Sequence, residues 1–438
     1  MESYPTIVAG GGLAGLAAGT ALPDALVLEQ GEVPGGLLLS PKQDGFTIDL
    51  VPHIFFTAEE KAITFFEEKV GQGNFYLKDS DARVFSHNAL TRFPFQSCLH
   101  GLPAEAIVDC ILELANAKGQ QVDNITDFQQ FADASFGRGI TRRFLEPYNK
   151  KLWGVEELSQ LTADWVGAKV ITVAMEDVLA GAIADQKFTR LPNKQFRYPI
   201  HGGIQTLAES TARFVNHLEL NCPIERIAPH DRQVICADGR KYCYESLIYT
   251  LSLTAVPQVI PEAPEAVKEA AQALVYRDVM AVHFGIDRPN VTKWHWMYYP
   301  EPAFPFYRVS FPSNMSEETA PEGTSSIICE ISVPPDSTVD ERELVRTCRQ
   351  ALEDSRILRA EDKALVENVY RLSPAYVVYD HGRNQAVSTI HRYLEQHDII
   401  PAGRFGEWKF FNMDHTILSG LAAADGARAR RGRKNADV

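Results

Sequence analysis

A glycine-rich turn between an apolar strand and an apolar helix is the feature of this sequence that most restricts its fold. The strand is predicted at Pro5–Ala9, and the helix that follows ends near Leu22. Between them, Gly10, Gly12 and Gly15 occupy the three glycine positions of the pattern G-x-G-x-x-G. This arrangement predicts the first half of a βαβ unit that binds a dinucleotide.

Each glycine of this turn has a distinct predicted role. Gly10 permits the tight turn, Gly12 lets the backbone approach a pyrophosphate, and Gly15 allows the helix to pack closely on the strand. The first N–H groups of the helix are unpaired and favour phosphate charge. A second apolar strand, Ala25–Leu28, ends in Glu29, whose carboxylate can accept hydrogen bonds from a ribose. The unit is therefore complete in the sequence.

A second pair of glycines favours FAD as the dinucleotide. Pro34, Gly35 and Gly36 follow the acidic residue closely, and glycines there let the backbone pass near the ligand. NAD as the bound dinucleotide and a glycine turn without a ligand are the alternatives. The FAD-binding residues predicted from this region are Gly10, Gly12, Leu13, Ala14, Gly15, Glu29, Gln30, Gly36 and Leu37.

Composition excludes several classes of protein. The net charge of -14 disfavours nucleic acid and anionic membrane as main partners, because both attract clustered Lys and Arg. The seven cysteines are scattered without a C-x-x-C pair, so neither a zinc site nor a disulfide framework is expected. No apolar run has membrane-spanning length and no signal peptide is evident, which predicts a cytoplasmic protein.

At 438 residues, the chain is longer than one hydrophobic core normally organises. Strand signals dominate its beginning and its second half, whereas the region between them has mainly helical periodicity. The predicted division is an FAD-binding domain from residues 1–57, 201–255 and 401–426, a mainly helical insertion lobe at 58–200, a mixed-sheet substrate domain at 256–400, and a flexible basic tail at 427–438.

Later segments resemble one flavoprotein family. Together they are similar, in order and from end to end, to the UDP-galactopyranose mutase family, within the superfamily of amine and protoporphyrinogen oxidases. The resemblance implies the fold class α/β, with a GR2-type FAD-binding Rossmann-like domain, a helical insertion and a mixed β-sheet substrate region. The segments are Leu145–Gly154, Arg92–Gln96, Phe196–Pro199, Trp296–Arg308, Gly403–Trp408 and Asn412–His415.

The resemblance implies an unusual use of flavin. In the family, N5 of reduced FAD displaces the nucleoside diphosphate from a nucleotide sugar, and the N5–sugar adduct then recloses as a furanose. The predicted function is therefore a pyranose–furanose mutase with no net redox change, primed by an external reductant or NAD(P)H. This chemistry needs positive charge near the diphosphate and a dry pocket.

Six residues match the family's catalytic positions. Two arginines would clamp the diphosphate, because a guanidinium offers planar paired donors and remains charged. A histidine would lie beside the flavin, and a tyrosine, a tryptophan and an asparagine would lie near the sugar. The ordinary alternatives are surface arginines, a buried core histidine and core aromatic residues. These six residues are Arg197, Arg308, His53, Tyr298, Trp153 and Asn149.

Two further groups follow from the same resemblance. Phe93 and Gln96 lie where the family holds the uridine, with an aromatic face for the base and an amide for its edge. A C-terminal turn would contact the flavin ring, largely through backbone atoms. Its predicted residues are Arg404, Asn412, Met413 and Ile417.

Two positions depart from the family pattern. Where family mutases present tyrosine hydroxyls to the diphosphate, this chain has Arg383, predicted to bind substrate as a cation, and Phe410, which has no donor. The diphosphate site is therefore altered. The alternatives to a mutase are an FAD-dependent oxidoreductase of a small amine or apolar substrate, and a flavin-binding scaffold without catalysis.

Overall fold

The structure is a computed structural model that describes residues 2–119, 124–167, 170–186 and 194–436, with side chains described as far as residue 432. Within these residues it contains two seven-stranded sheets and two two-stranded sheets. The strands are β1 (Glu2–Ala9), β2 (Ala25–Leu28), β3 (Lys42–Gln43), β4 (Phe46–Thr47), β5 (Phe75–Asp79), β6 (Ala82–Ser86), β7 (Ala89–Arg92), β8 (Gln195–Pro199), β9 (His217–Glu219), β10 (Ile224–Ala228), β11 (Gln233–Cys236), β12 (Lys241–Tyr249), β13 (Tyr276–Ile286), β14 (Trp296–Tyr298), β15 (Arg308–Ser310), β16 (Ser325–Val333), β17 (Ala364–Val377) and β18 (Ile399–Pro401).

Helices surround both sheets. Within the described residues, none is long and apolar enough to cross a membrane. The helices are α1 (Leu13–Ala21), α2 (Glu60–Val70), α3 (Ala104–Lys118), α4 (Phe128–Ile140), α5 (Glu146–Trp153), α6 (Met175–Ile183), α7 (Gln205–Ala212), α8 (Val256–Val259), α9 (Glu265–Gln272), α10 (Pro312–Met315), α11 (Glu341–Asp354), α12 (Arg383–Gln396), α13 (Gly403–Gly406) and α14 (Met413–Ala436).

The first sheet carries the predicted nucleotide-binding unit. Its order is β10-β11-β12-β1-β2-β9, and β18 also pairs with β12. Strand β1 lies parallel to β2 and to β12, and β18 lies parallel to β12. The apolar run that begins at Leu247 belongs to this sheet, since Leu247 pairs with Ile7. Three distant parts of the chain therefore build one sheet.

The second sheet has the order β17-β13-β16-β15-β14-β6-β7. Strand β13 pairs antiparallel with β16 and β17, whereas β6 pairs parallel with β14. Strands β6 and β7 lie inside residues 58–200, where helices predominate as predicted, so this region also supplies two strands of the second sheet. Strands of four or five residues give little periodic signal, and the partner of β6 lies more than 200 residues later in the chain.

The two faces of the second sheet have different environments. Met280, Val282, Met297 and Val309 are buried on one face, in a cluster that includes Leu352 of α11. Side chains alternate between faces along a strand, and directly paired residues share a face. The opposite face therefore carries the paired residues Tyr298 and Arg308, Arg308 and Glu330, and Trp296 and Ser310.

The predicted flexible tail continues as helix. Helix α14 extends to Ala436. Arg428 donates to the carbonyl of Ala21, and Arg431 donates to Thr6 Oγ1 at 2.7 Å. The basic residues of the tail thus attach the helix to the first sheet and to α1, which corrects the expectation of a frayed terminus for residues 427–432.

Candidate functional site

The glycine turn has the backbone geometry that its sequence predicts. Gly10 has φ +107°, and a Cβ there would lie 2.5 Å from Thr250 Oγ1. A Cβ on Gly15 would lie 1.9 Å from the carbonyl oxygen of Gly10, so α1 can pack this closely on β1 only with glycine. Gly12 has φ -70°, and a Cβ there would have no protein atom within 4 Å. Gly12 therefore faces open space at the N-terminus of α1.

The Glu29 side chain stabilises this glycine turn through hydrogen bonds to its backbone. Its carboxylate accepts hydrogen bonds from Gly11 N at 2.7 Å and from Gly31 N at 2.8 Å. Gly35 N donates to the carbonyl of Gly11 at 2.9 Å, which brings the second glycine pair against the first. Each carboxylate oxygen has a further lone pair, so Glu29 can still accept from a ribose hydroxyl.

A cavity of about 880 Å³ begins at this turn and extends to the face of the second sheet that carries Tyr298, Arg308 and Glu330. It brings together residues from both sheets and from the C-terminal turn. The predicted site residues that line it are Gly10, Gly12, Leu13, Ala14, Glu29, Gln30, Gly36, Leu37, His53, Phe93, Tyr298, Arg308, Arg404, Asn412 and Met413.

Several predicted site residues are not among the described residues that line the cavity. Asn149 donates to the carbonyl of Leu145 at 2.7 Å and accepts from Trp153 Nε1 at 3.0 Å. The Trp153 ring meets Phe410 edge to face, with 5.4 Å between centroids. Trp153 therefore packs against Phe410, which lines the cavity, and does not line it itself. The others are Gly15, Gln96, Arg197, Arg383 and Ile417.

The structure does not bring the two predicted clamp arginines together at the cavity. Arg197 Nε donates to Glu67 Oε1 at 2.9 Å, and Arg197 Nη2 lies 2.8 Å from the same oxygen. Its role as a diphosphate ligand stays a prediction. Gln96 also binds a protein group, since its Nε2 donates to the carbonyl of Ile171 at 3.2 Å.

Arg383 supports the C-terminal turn from outside the cavity. Its Nε and Nη2 both donate to the carbonyl of Trp408, the first at 3.0 Å. Its guanidinium lies 4.2 Å from the ring centroid of Tyr379, whose hydroxyl accepts from Phe410 N at 3.0 Å. The expectation that Arg383 offers its charge to the substrate is therefore corrected: the side chain fixes the turn that carries Arg404 and Phe410.

We expect Arg383→Met to lower the free energy of unfolding by about 1.5–3 kcal/mol, because a buried carbonyl loses a charged donor. Arg346→Met is the matched control, since Arg346 pairs with Glu343 at the surface and 77% of its side chain is exposed. Denaturant unfolding of both variants measures the difference. Equal stability of the two variants would contradict the assigned role of Arg383.

Arg308 forms a buried ion pair on the sheet face. It contacts both carboxylate oxygens of Glu330, with 2.7 Å between Nη2 and Oε1. Only 1% of the Glu330 side chain is exposed. Burial alone lowers the pKa of Arg308, but the Glu330 carboxylate more than reverses this and raises it. Both groups are therefore charged and neutralise each other.

Arg404 is held without a carboxylate among the described residues. Its Nη1 donates to the carbonyl of Phe411 at 2.8 Å and its Nη2 to the carbonyl of Ala375 at 2.7 Å. Its Nε is buried without a hydrogen-bond partner in the described structure. Burial lowers the pKa of Arg404, yet a guanidinium stays protonated. Arg404 thus brings an uncompensated positive charge to the cavity.

His53 is neutral in this environment. Burial lowers its pKa to about 3, and the charges of Arg404 and Arg308 act in the same direction. Its buried Nδ1 has no hydrogen-bond partner among the described residues. A neutral imidazole with a free ring nitrogen can contact a ligand in the cavity.

Sequence reasoning missed Glu330, Tyr307 and Tyr376. Tyr307 donates to Glu330 at 2.9 Å, and its oxygen lies 3.2 Å from that of Tyr376, which lines the cavity. One signal was available: Glu330 is the single charged residue inside the apolar strand β16. Such a residue is seldom buried without a partner.

The residues present fit FAD. The N-terminus of α1 has no side-chain cap, so its N–H groups can meet a pyrophosphate. Gly12 leaves room for that group, and Glu29 lines the cavity beside the turn, where its carboxylate can accept from a ribose. His53, Arg404, Asn412 and Met413 line the continuation of the cavity, where the ring system would extend.

Comparisons with known proteins agree with this reading. Residues 13–425 match the family described as flavin containing amine oxidoreductase. The crystal structure of a reduced UDP-galactopyranose mutase is similar with a TM-score of 0.91 and 25% identity, over 97% of this chain and 96% of that chain. Two further solved structures share the fold. Putrescine oxidase bound to putrescine has a TM-score of 0.65 and 15% identity, over 98% of this chain and 99% of that chain. An oxidoreductase from Methanosarcina mazei has a TM-score of 0.68 and 13% identity, over 96% of this chain and 99% of that chain.

Proposed function

The chain belongs to the flavin containing amine oxidoreductase family, with FAD as its cofactor, and on this premise we propose that it is a mutase. The proposed reaction interconverts the pyranose and furanose forms of a nucleotide-diphosphate sugar. The likeness to the reduced UDP-galactopyranose mutase, at 25% identity over almost the whole of both chains, is the observation that carries this proposal.

The charge of the cavity supports an anionic substrate. The described lining of the cavity near His53 carries two guanidinium groups, Arg308 and Arg404, and one carboxylate, Glu330, whereas the Asp49 carboxylate beside the His53 backbone is buried outside this lining. This part of the cavity is therefore positive by one charge. An amine oxidase substrate carries an ammonium group, which this charge repels, whereas a diphosphate is attracted.

The proposed roles of the chain's own residues follow from their positions. Arg404 and Arg308 hold the diphosphate, because guanidinium donors match phosphate oxygens. Phe93 and Tyr298, whose ring centroids are 4.8 Å apart, offer an aromatic wall to the base and sugar. Neutral His53 contacts the flavin without adding charge.

When bound and reduced, FAD supplies an electron-rich nitrogen that can displace the diphosphate from the anomeric carbon. The protein has to keep water away from that carbon and stabilise the departing diphosphate. The apolar and aromatic residues Phe93, Phe410 and Phe411 line the cavity and serve the first task. The two guanidinium groups serve the second.

The proposed function predicts catalysis that needs reduced flavin without consuming it. Protein reduced with dithionite under anaerobic conditions, incubated with a panel of nucleotide sugars, is expected to form furanose products over many turnovers per reducing equivalent. Oxidised protein is the control and is expected to be inactive. Chromatography of the products and flavin absorbance measure both quantities. Turnover by oxidised protein, or one acceptor reduced per product, would instead indicate an oxidoreductase.

A further inference from the structure

Three hydroxyl and carboxyl groups form a chain that leads from the cavity into the second sheet. Tyr376 lines the cavity, and its hydroxyl oxygen lies 3.2 Å from that of Tyr307. Tyr307 is 1% exposed and is not among the described residues that line the cavity. Its hydroxyl lies 2.9 Å from Glu330 Oε1. This hydrogen-bonded series therefore runs from one lining residue, Tyr376, through buried Tyr307 to the carboxylate of Glu330, which also lines the cavity.

The number of protons on these groups fixes the direction of the hydrogen bonds. Glu330 is ionised beside Arg308, so it can only accept, and Tyr307 must donate to it. A tyrosine hydroxyl has a single hydrogen. The bond between the two tyrosines must then run from Tyr376 to Tyr307. Tyr376 consequently presents only lone pairs to the cavity.

We propose that Tyr376, Tyr307 and Glu330 form a proton relay that accepts the proton of a substrate hydroxyl during ring closure. This inference rests on the proposed function. Closure of a furanose ring requires a hydroxyl oxygen to bond to the anomeric carbon, and that oxygen must lose its proton. Tyr376 lines the cavity, and its hydroxyl, which donates to Tyr307, is oriented to accept that proton.

The transfer is balanced at every group. The substrate O–H bond breaks, its electron pair forms the new C–O bond, and its proton passes to the Tyr376 oxygen. The anomeric carbon gives up one bond of its double bond in exchange, and that electron pair moves to the atom at the other end of the double bond. The original proton of Tyr376 moves to Tyr307, and that of Tyr307 moves to Glu330, which becomes a neutral carboxylic acid. Opening of the pyranose ring, which comes first, places one proton on the ring oxygen, and closure of the furanose ring releases one. The relay gives the released proton back by the same path before the next ring opens, so each turnover has no net proton change.

Protonation of Glu330 also changes the charge of its partner. While Glu330 is ionised, it neutralises Arg308 through two contacts. Once Glu330 is neutral, the charge of Arg308 is uncompensated and faces the cavity. The relay therefore increases the positive charge near the diphosphate at the same step in which the substrate hydroxyl loses its proton.

Tyr307→Phe tests the relay because it removes the middle hydroxyl without changing a residue of the cavity lining. Tyr299→Phe is the matched control, since Tyr299 is a fully buried tyrosine of the same region whose hydroxyl donates to Ser355 on the opposite face of the sheet. Both variants are compared with wild type, as reduced holoenzymes, for kcat, KM, the solvent deuterium isotope effect on kcat and thermal stability.

We expect Tyr307→Phe to lower kcat by about 10²-fold or more, with KM unchanged and an altered isotope effect, as for loss of acid–base catalysis. Tyr299→Phe should match wild type in all three kinetic quantities. Wild-type kcat and isotope effect in Tyr307→Phe would overturn the relay alone. Absence of furanose formation by wild type would overturn the proposed function, and with it the ring-closing role of the relay.

Discussion

Gly12→Val is expected to fold and to purify without flavin. The backbone of Gly12 lies at φ -70° and ψ 176°, a conformation open to any residue. A Cβ there meets no protein atom within 4 Å, so the substitution strains nothing in the polypeptide. The space it fills is the space that a pyrophosphate needs at the N-terminus of α1. Absorbance at the flavin wavelengths, relative to protein, measures the loss.

Gly426→Val is the matched control for this prediction. Gly426 lies in α14, and a Cβ there would make an ordinary contact of 3.7 Å with Ile400. This variant should retain full flavin content. Gly15→Val is a contrasting case, because its side chain would collide with the backbone of Gly10 and disturb folding itself. Full flavin occupancy in Gly12→Val would mean that the dinucleotide does not bind at this turn.

Arg308→Ala is expected to lower the free energy of unfolding by about 3–5 kcal/mol, because it leaves the Glu330 carboxylate buried and unpaired. Glu330 cannot move to water, since 1% of its side chain is exposed and it lies in the middle of β16. Arg308→Ala should also weaken binding of a nucleotide sugar by roughly 1.5–3 kcal/mol, the contribution of a charged hydrogen bond. Denaturant unfolding and isothermal titration measure the two effects separately.

Two further variants test whether the loss of stability comes from the unpaired Glu330 carboxylate or from removing any arginine side chain. The double variant Arg308→Ala with Glu330→Gln should recover part of the stability, because a neutral amide costs less to bury than a carboxylate. Arg226→Ala removes a surface partner of Glu262, where about half of the arginine side chain is exposed, and should cost at most about 1 kcal/mol. A loss for Arg308→Ala no larger than for Arg226→Ala would show that Glu330 does not depend on Arg308.

The order of elements was predictable wherever the signal is local. Strand Ala25–Leu28 has the predicted bounds and helix α1 ends next to the predicted Leu22, because a continuous apolar run marks each of them. Strands β6 and β7 were not predicted. They are short, and they are strands because β14 lies beside β6, a contact that no nearby residue encodes.

The sequence by itself determined the glycine turn and the identity of the dinucleotide site. Gly10, Gly12, Gly15 and Glu29 act within one continuous segment, so their spacing fixes their geometry: a turn with positive φ, a close approach of helix to strand, and an acid at the end of the next strand. Backbone conformation of this kind depends on local sterics, and local sterics can be read from residue types.

Only the tertiary structure decided which charges reach the cavity. Arg308, Arg383 and Arg197 were all predicted from the sequence to bind the substrate, yet the first pairs with Glu330 at the cavity, the second binds the carbonyl of Trp408, and the third pairs with Glu67 away from it. The partner of a buried cation depends on strand register and on which acceptors packing removes from water. Both are properties of contacts between distant segments, which residue order alone does not specify.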